Sequence, residues 1–221
     1  MLKHIIEYSF SKTHDKTYVF VPGYSGGLNV ATISKIVEYF VKQGKGNVYG
    51  VSMSYQYDTQ DLFDNSQIKL ITVLKHIATI APYTDIILIA KSLGGSLALF
   101  NCKKLPINKI IILGCSIKLG WPQRISLFKT QNPTLPDYKS EWKSILASIS
   151  IPTLVMSGEF DDITDNSFLF QATQINQNLR LIVVENANHN LENSESGELL
   201  IETLIKSIED FLTESHSHND S

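Results

Sequence analysis

The stretch Ile86–Phe100, IILIAKSLGGSLALF, decides how the rest of the chain is read. Ile86–Ala90 is an unbroken apolar run rich in β-branched residues, the signature of a strand buried on both faces. From Ser92 to Lys104 the composition turns to Ala, Leu and Phe, and the spacing predicts a helix. Between the two lie Lys91, Ser92, Leu93, Gly94 and Gly95. A serine directly after a parallel strand sits at the carboxyl edge of the sheet, where α/β proteins place their sites. If the chain turns sharply there, the serine takes a strained backbone conformation. The residues two before and two after it must then be small, and Ala90 and Gly94 are. Gly95 lets the helix pack closely, and the helix N-terminus aims free N–H groups at whatever reacts there. This is the nucleophile elbow G-x-S-x-G, with Ala90 at the first glycine position. A serine that merely caps a helix accounts for the same residues, because Ser is a preferred N-cap.

Working outward, the pattern alternates. Strands are predicted over Leu2–Phe10, Thr17–Val21, Asn47–Met53, Lys109–Leu113, Pro152–Ser157 and Leu181–Glu185. Helical spacing runs through Val30–Val41, Thr164–Ile175 and Ser196–Thr213. It also runs through Gln67–Ile80, with Ile68, Ile71, Leu74, Ile77 and Ala78 on one side. Continuous apolar strands alternating with helices predict an α/β protein. The expected form is a three-layer sandwich with a mostly parallel sheet of about seven strands flanked by helices. No internal repeat or linker interrupts 1–213, which reads as one domain, and the polar tail 214–221 reads as disordered. The alternation breaks only at 115–150, which carries Trp121, Trp142, Pro122, Pro133 and Pro136; this stretch is expected to form a short cap on top of the sheet.

With 19 Lys and Arg against 22 Asp and Glu, the net charge is −3, and there is no basic run. That argues against nucleic acid or an anionic membrane as partner. Cys102 and Cys115 do not make a disulfide framework for a chain of 221 residues and read as reduced core thiols. The N-terminus is too short and too charged for a signal peptide, and no apolar run approaches the ~20 residues that cross a bilayer. The expected location is the cytoplasm.

From about Tyr18 to Phe211 the chain resembles the α/β-hydrolase fold superfamily. IAKSLGG (Ile89–Gly95) matches its elbow, SGEFDDI (Ser157–Ile163) its G-x-x-D segment, and NANHN (Asn186–Asn190) the loop after the last strand. The resemblance implies a triad in the order Ser, acid, His. Ser92 is then the nucleophile, Asp161 the acid and His189 the base. Asp162 is adjacent, and spacing alone does not exclude it; either aspartate also suits a helix cap. His216 and His218 lie in the tail. The same resemblance implies an oxyanion hole from the backbone N–H groups of Leu93 and of Tyr24, in the loop PGYSGG (Pro22–Gly27), where Pro22 stands at the usual His position. A phosphate cradle is the competing reading of this loop. It lacks both the Gly-Lys-Ser/Thr ending and the G-x-G-x-x-G pattern.

No His, Cys and Asp spacing suits zinc, so neither a metal nor a cofactor is expected. His4, His14 and His76 read as surface or half-exposed residues, and Lys91 as a variable elbow position. Tyr55 and Tyr57 read as pocket or packing aromatics. The expected function is a serine hydrolase, carboxylesterase-like or thioesterase-like. It would cleave an ester, thioester or amide of a small acyl substrate through an acyl-enzyme. The alternatives are a non-catalytic scaffold of the same fold used for binding, and a lyase or acyltransferase using the same triad. In the cap, Trp121, Leu127, Phe128, Tyr138 and Trp142 could cover an acyl group, and Lys118, Arg124 and Lys129 could meet an anion; equally, the aromatics could simply pack the cap onto the sheet. A cap this short suits small, accessible substrates.

Overall fold

Strands and helices alternate along the chain in the computed structural model, which describes residues 4–24, 27–53, 60–116 and 138–214. The strands are β1 (Ile5–Ser9), β2 (Lys16–Val21), β3 (Asn47–Val51), β4 (Asp85–Ser92), β5 (Lys109–Cys115), β6 (Thr153–Gly158) and β7 (Leu179–Val184). The helices are α1 (Ala31–Gln43), α2 (Gln60–Ile80), α3 (Leu93–Asn101), α4 (Tyr138–Ala147), α5 (Asn166–Ile175) and α6 (Ile201–Thr213). Tyr55, Tyr57, Lys118, Trp121, Arg124, Leu127, Phe128, Lys129, His216 and His218 lie outside the described residues.

The strands form one seven-stranded sheet in the order β1-β3-β2-β4-β5-β6-β7. β1 pairs antiparallel with β3, and every other neighbouring pair is parallel. Alternating side chains of the central strands enter opposite core layers. Val19, Val21, Leu88, Ala90, Ile110, Ile112 and Val155 pack against Leu70, Leu74 and Ile77 of α2, Leu97 of α3, and Trp142 and Leu146 of α4. Phe20, Ile87, Ile89, Ile111, Leu113, Leu154 and Met156 pack on the other side against α1, through Ile33, Ile36 and Phe40, and against α6, through Leu204, Ile208 and Phe211. Both faces are thus dry, which is why the central strands read as continuous apolar runs. Each buried Leu or Ile contributes about 1.5–3 kcal/mol.

Several expectations need correction. α2 starts at Gln60, and its buried residues include Leu70, Val73, Leu74 and Ile77, while Ile68 is exposed. Ser92 closes β4 and does not open the helix. α3 ends at Asn101, and a 3₁₀ turn continues over Cys102–Lys104. The last helix begins at Ile201, not Ser196. Before it, Gly197 takes a left-handed φ of 70°, Asn193 Oδ1 accepts from the Glu195 and Ser196 N–H groups, and Glu192 bridges to Leu199. These local bonds offer the backbone an alternative to the helical ladder. Within 115–150, Cys115 belongs to β5, and α4 is a regular helix that the sequence reading did not include. Its Trp142 is fully buried, with its ring 4.6 Å from that of Phe100, so this aromatic is core. Cys102 and Cys115 are both buried and unpaired.

Candidate active site

Ser92 is the last residue of β4 and has φ 50° and ψ −117°, a left-handed φ that side chains other than glycine rarely adopt. The surroundings impose it. Ala90 is fully buried, paired with Val21 on one side and Ile112 on the other. A side chain at Gly94 would strike the Pro22 carbonyl, and one at Gly95 would strike Ile112. The loop after β2 is equally close: a Cβ on Gly23 would lie 3.1 Å from Ser92 Cβ. Ser92 occupies the N-cap position of α3, yet its side chain makes no capping bond. Its Oγ lies 3.0 Å from His189 Nε2 instead.

Asp161 lies in the loop between β6 and α5 and is buried. Its Oδ1 accepts from the Ile163 and Thr164 N–H groups, each at 2.9 Å. Its Oδ2 is 2.7 Å from the Thr164 hydroxyl, whose oxygen also lies 2.6 Å from the Cys115 carbonyl. His189 Nδ1 faces both oxygens, at 3.0 and 2.9 Å. Burial alone would push this carboxyl up. The His189 hydrogen bond and charge, with the Thr164 donors, outweigh it and hold Asp161 below its ordinary value. A carboxylate against Nδ1 selects the tautomer with its proton there, leaving the Nε2 lone pair to accept the Ser92 Oγ–H. Asp162 is exposed, and the carboxylate that meets the imidazole is Asp161.

His189 is held by its loop. Asn188 Oδ1 accepts from the Asn190 and Glu192 N–H groups at 2.8 and 3.2 Å, and the Thr32 hydroxyl of α1 donates to the Asn190 carbonyl at 2.7 Å. Leu191, fully buried, has φ 63°, a strained conformation retained by its packing. Gly114 of β5 has φ 64°, and a Cβ there would sit 2.8 Å from the His189 carbonyl and 3.2 Å from the imidazole. The backbone of β5 therefore forms one wall of the imidazole slot. Gly158 performs the same role for the start of the loop, where a side chain would strike the Ala187 and Asn188 carbonyls. A glycine near the end of an otherwise apolar strand signals close backbone approach; that signal was present at Gly114 and Gly158, but the sequence reading did not draw these contacts from it. Thr32, Thr164 and Leu191 carried no such signal.

Leu93 is the first residue of α3, directly after Ser92, and Tyr24 lies in the loop after β2, directly after Gly23, where a side chain would crowd Ser92. Residues 25–26 of that loop lie outside the described residues. Burial pushes the Cys115 thiol up to about 12, which leaves it a core residue, not a second nucleophile. His4 is exposed and His14 and His76 are half-buried. Among the described residues, no His, Cys, Asp and Glu side chains form a group that could hold a metal ion, and no helix is long and apolar enough to cross a membrane.

The chain matches no family model and no curated protein. Solved structures do match it. An esterase from Pyrococcus furiosus superposes with a TM-score of 0.68 at 17% identity, covering 91% of this chain and 84% of that one. An alpha/beta hydrolase enzyme from the metagenome of lagoon sediments at Mar Chica, Morocco, gives 0.64 at 18% identity, covering 94% and 93%. The thioesterase domain from the curacin biosynthetic pathway gives 0.61 at 13% identity, covering 95% and 94%. At these identities the likeness is one of fold, and the protein has the α/β-hydrolase fold.

Proposed function

We propose that the protein is a serine hydrolase that cleaves an ester, thioester or amide bond of a small substrate through an acyl-enzyme, with Ser92, His189 and Asp161 as its triad. One observation carries this reading: a serine in a strained backbone conformation spends its hydroxyl on His189 Nε2 at 3.0 Å and not on the helix it precedes. The fold's likeness to an esterase and to a thioesterase domain supports the same class.

In this mechanism Ser92 Oγ attacks the carbonyl carbon while His189 Nε2 takes its proton. Asp161 holds the tautomer and stabilises the imidazolium. The negative oxygen of the tetrahedral intermediate is met by the backbone N–H groups of Leu93 and Tyr24. The imidazolium then protonates the leaving oxygen, sulfur or nitrogen, and the C–O, C–S or C–N bond breaks. A water, deprotonated by His189, attacks the Ser92 ester and releases the acid. Neither metal nor cofactor is required by these steps. We place the enzyme in the cytoplasm.

The test is a panel of short and long p-nitrophenyl esters, thioesters and aminoacyl amides. Ser92→Ala is expected to lose turnover on the order of 10⁶-fold while the fold survives, and short acyl chains are expected to outrun long ones. Substantial activity in Ser92→Ala would sink the mechanism. Absence of fluorophosphonate labelling at Ser92 would instead favour a non-catalytic scaffold. Failure to incorporate oxygen from labelled water into the product would favour a lyase or acyltransferase.

A further inference from the structure

Lys91 is a charged residue in a strand whose preceding residues, Ile86–Ala90, are all buried and apolar. It is itself only 4% exposed. Taking an ammonium out of water is costly unless other groups replace the water. Among the described residues no carboxylate comes within salt-bridge reach of its Nζ. The acidic groups whose charge it feels are Asp161, from the loop between β6 and α5, and Glu192, from the loop after β7. What Nζ does reach is the main-chain carbonyl of His189, at 3.0 Å.

The placement is specific. Ser92 and Lys91 are adjacent on β4, and both reach the same histidine, one through its ring and the other through its backbone. β5 and β6 lie between β4 and β7 in the sheet, a gap of roughly three strand spacings, about 14 Å. The loop after β7 folds back over the sheet edge to deliver its imidazole, and the Lys91 side chain reaches its main chain from β4. Asp161 and Gly114 set the plane of the ring. Gly114 and Thr32 meet the main chain of the same loop from β5 and α1, and Lys91 is what ties it to β4, the strand that carries Ser92.

We propose that Lys91 is a positioning residue: its hydrogen bond to the His189 carbonyl ties the base-bearing loop to the strand that carries the nucleophile. This rests on the acyl-transfer reading of the site. The bond does not depend on charge, because a neutral amine also donates, so the tie persists on both sides of the amine's titration.

The test pairs Lys91→Met, of similar length without a donor, with Lys91→Gln, which stops short of the carbonyl. In both, kcat for a p-nitrophenyl ester is expected to fall on the order of 10- to 100-fold, with KM within about twofold. The far-downfield proton resonance of the His189 Nδ1–Asp161 hydrogen bond is expected to broaden or shift in both. A folded variant with an unmoved resonance overturns the proposal whatever its kcat, and so does kcat within about twofold of the unsubstituted protein. A loss carried by KM overturns it too, since the lysine would then be acting on substrate binding. The acyl-transfer reading fails separately, by absence of fluorophosphonate labelling in the unsubstituted protein, whereas the resonance needs no turnover.

Discussion

At Asp161 a single carboxylate accepts from two backbone N–H groups and faces the Thr164 hydroxyl and His189 Nδ1, while the next residue, Asp162, faces solvent. Nothing in the spacing of GEFDD separates the two. What separates them is Thr164, three residues on, and His189, 28 residues on, which no local pattern reports. Asp161→Asn would keep the shape but present an amide that favours the wrong imidazole tautomer. It is expected to lower kcat on the order of 10⁴-fold, as in other triads, whereas Asp162→Asn should stay within about twofold; steady-state kinetics on both variants checks the pair. Because the folded Asp161 carboxyl is held below its ordinary value, its contribution to stability is present above roughly pH 4 and is lost as pH falls through the lowered value.

At the scale of the element, the β4–α3 junction is a turn whose tightness is set by what touches it. The Pro22 carbonyl presses on Gly94, Ile112 presses on Gly95, and Val21 and Ile112 flank Ala90. Alanine in place of the motif's glycine is compatible with that geometry because a methyl group fits where a larger side chain does not. Ala90→Gly should be tolerated, at about 0.5–1 kcal/mol for a glycine within a strand. Ala90→Leu should cost about 1–3 kcal/mol by overpacking and should lower activity more than stability by displacing Ser92. Chemical denaturation and kinetics on the two variants test this, and full activity and stability in Ala90→Leu would mean that the turn is not tight. The start of α6 taught the opposite lesson. Helical spacing runs from Ser196, but the Asn193 hydrogen bonds and the left-handed Gly197 keep the chain out of the helix until Ile201, and the residues before it brace the His189 loop through the Leu200 N–H to Leu191 carbonyl bond at 3.2 Å.

At the scale of the molecule, one buried lysine shapes the response to pH. Burial lowers Lys91 from its ordinary 10.5 to about 8, with Asp161 and Glu192 opposing the shift. Between those values the unfolded chain binds a proton that the folded protein does not, so stability rises with pH across the window. Above roughly pH 10 the buried tyrosines, Tyr18 among them at about 12, pull the other way, because unfolding lets them ionise. A rise in urea midpoint from about pH 8 to about pH 10 is therefore expected, and Lys91→Met should flatten it. An equal rise in that variant would place the effect elsewhere.

The alternation of apolar strands with amphipathic helices determined the α/β architecture from the sequence alone, because a sheet dry on both faces at its centre writes its burial into every residue of the central strands. The small residues around Ser92, and the order of Ser92, Asp161 and His189 that the α/β-hydrolase resemblance implies, likewise pointed to the candidate site. Tertiary structure decided which aspartate meets His189, that Ser92 spends its hydroxyl on the imidazole and not on a cap, and that Trp142 is core. It also decided that Lys91 turns from the elbow towards the His189 loop. The physical reason is common to all four. Periodicity records a residue's place within its own element, whereas these outcomes depend on which distant group packs or bonds against it, and that is set by the packing of elements far apart in the chain.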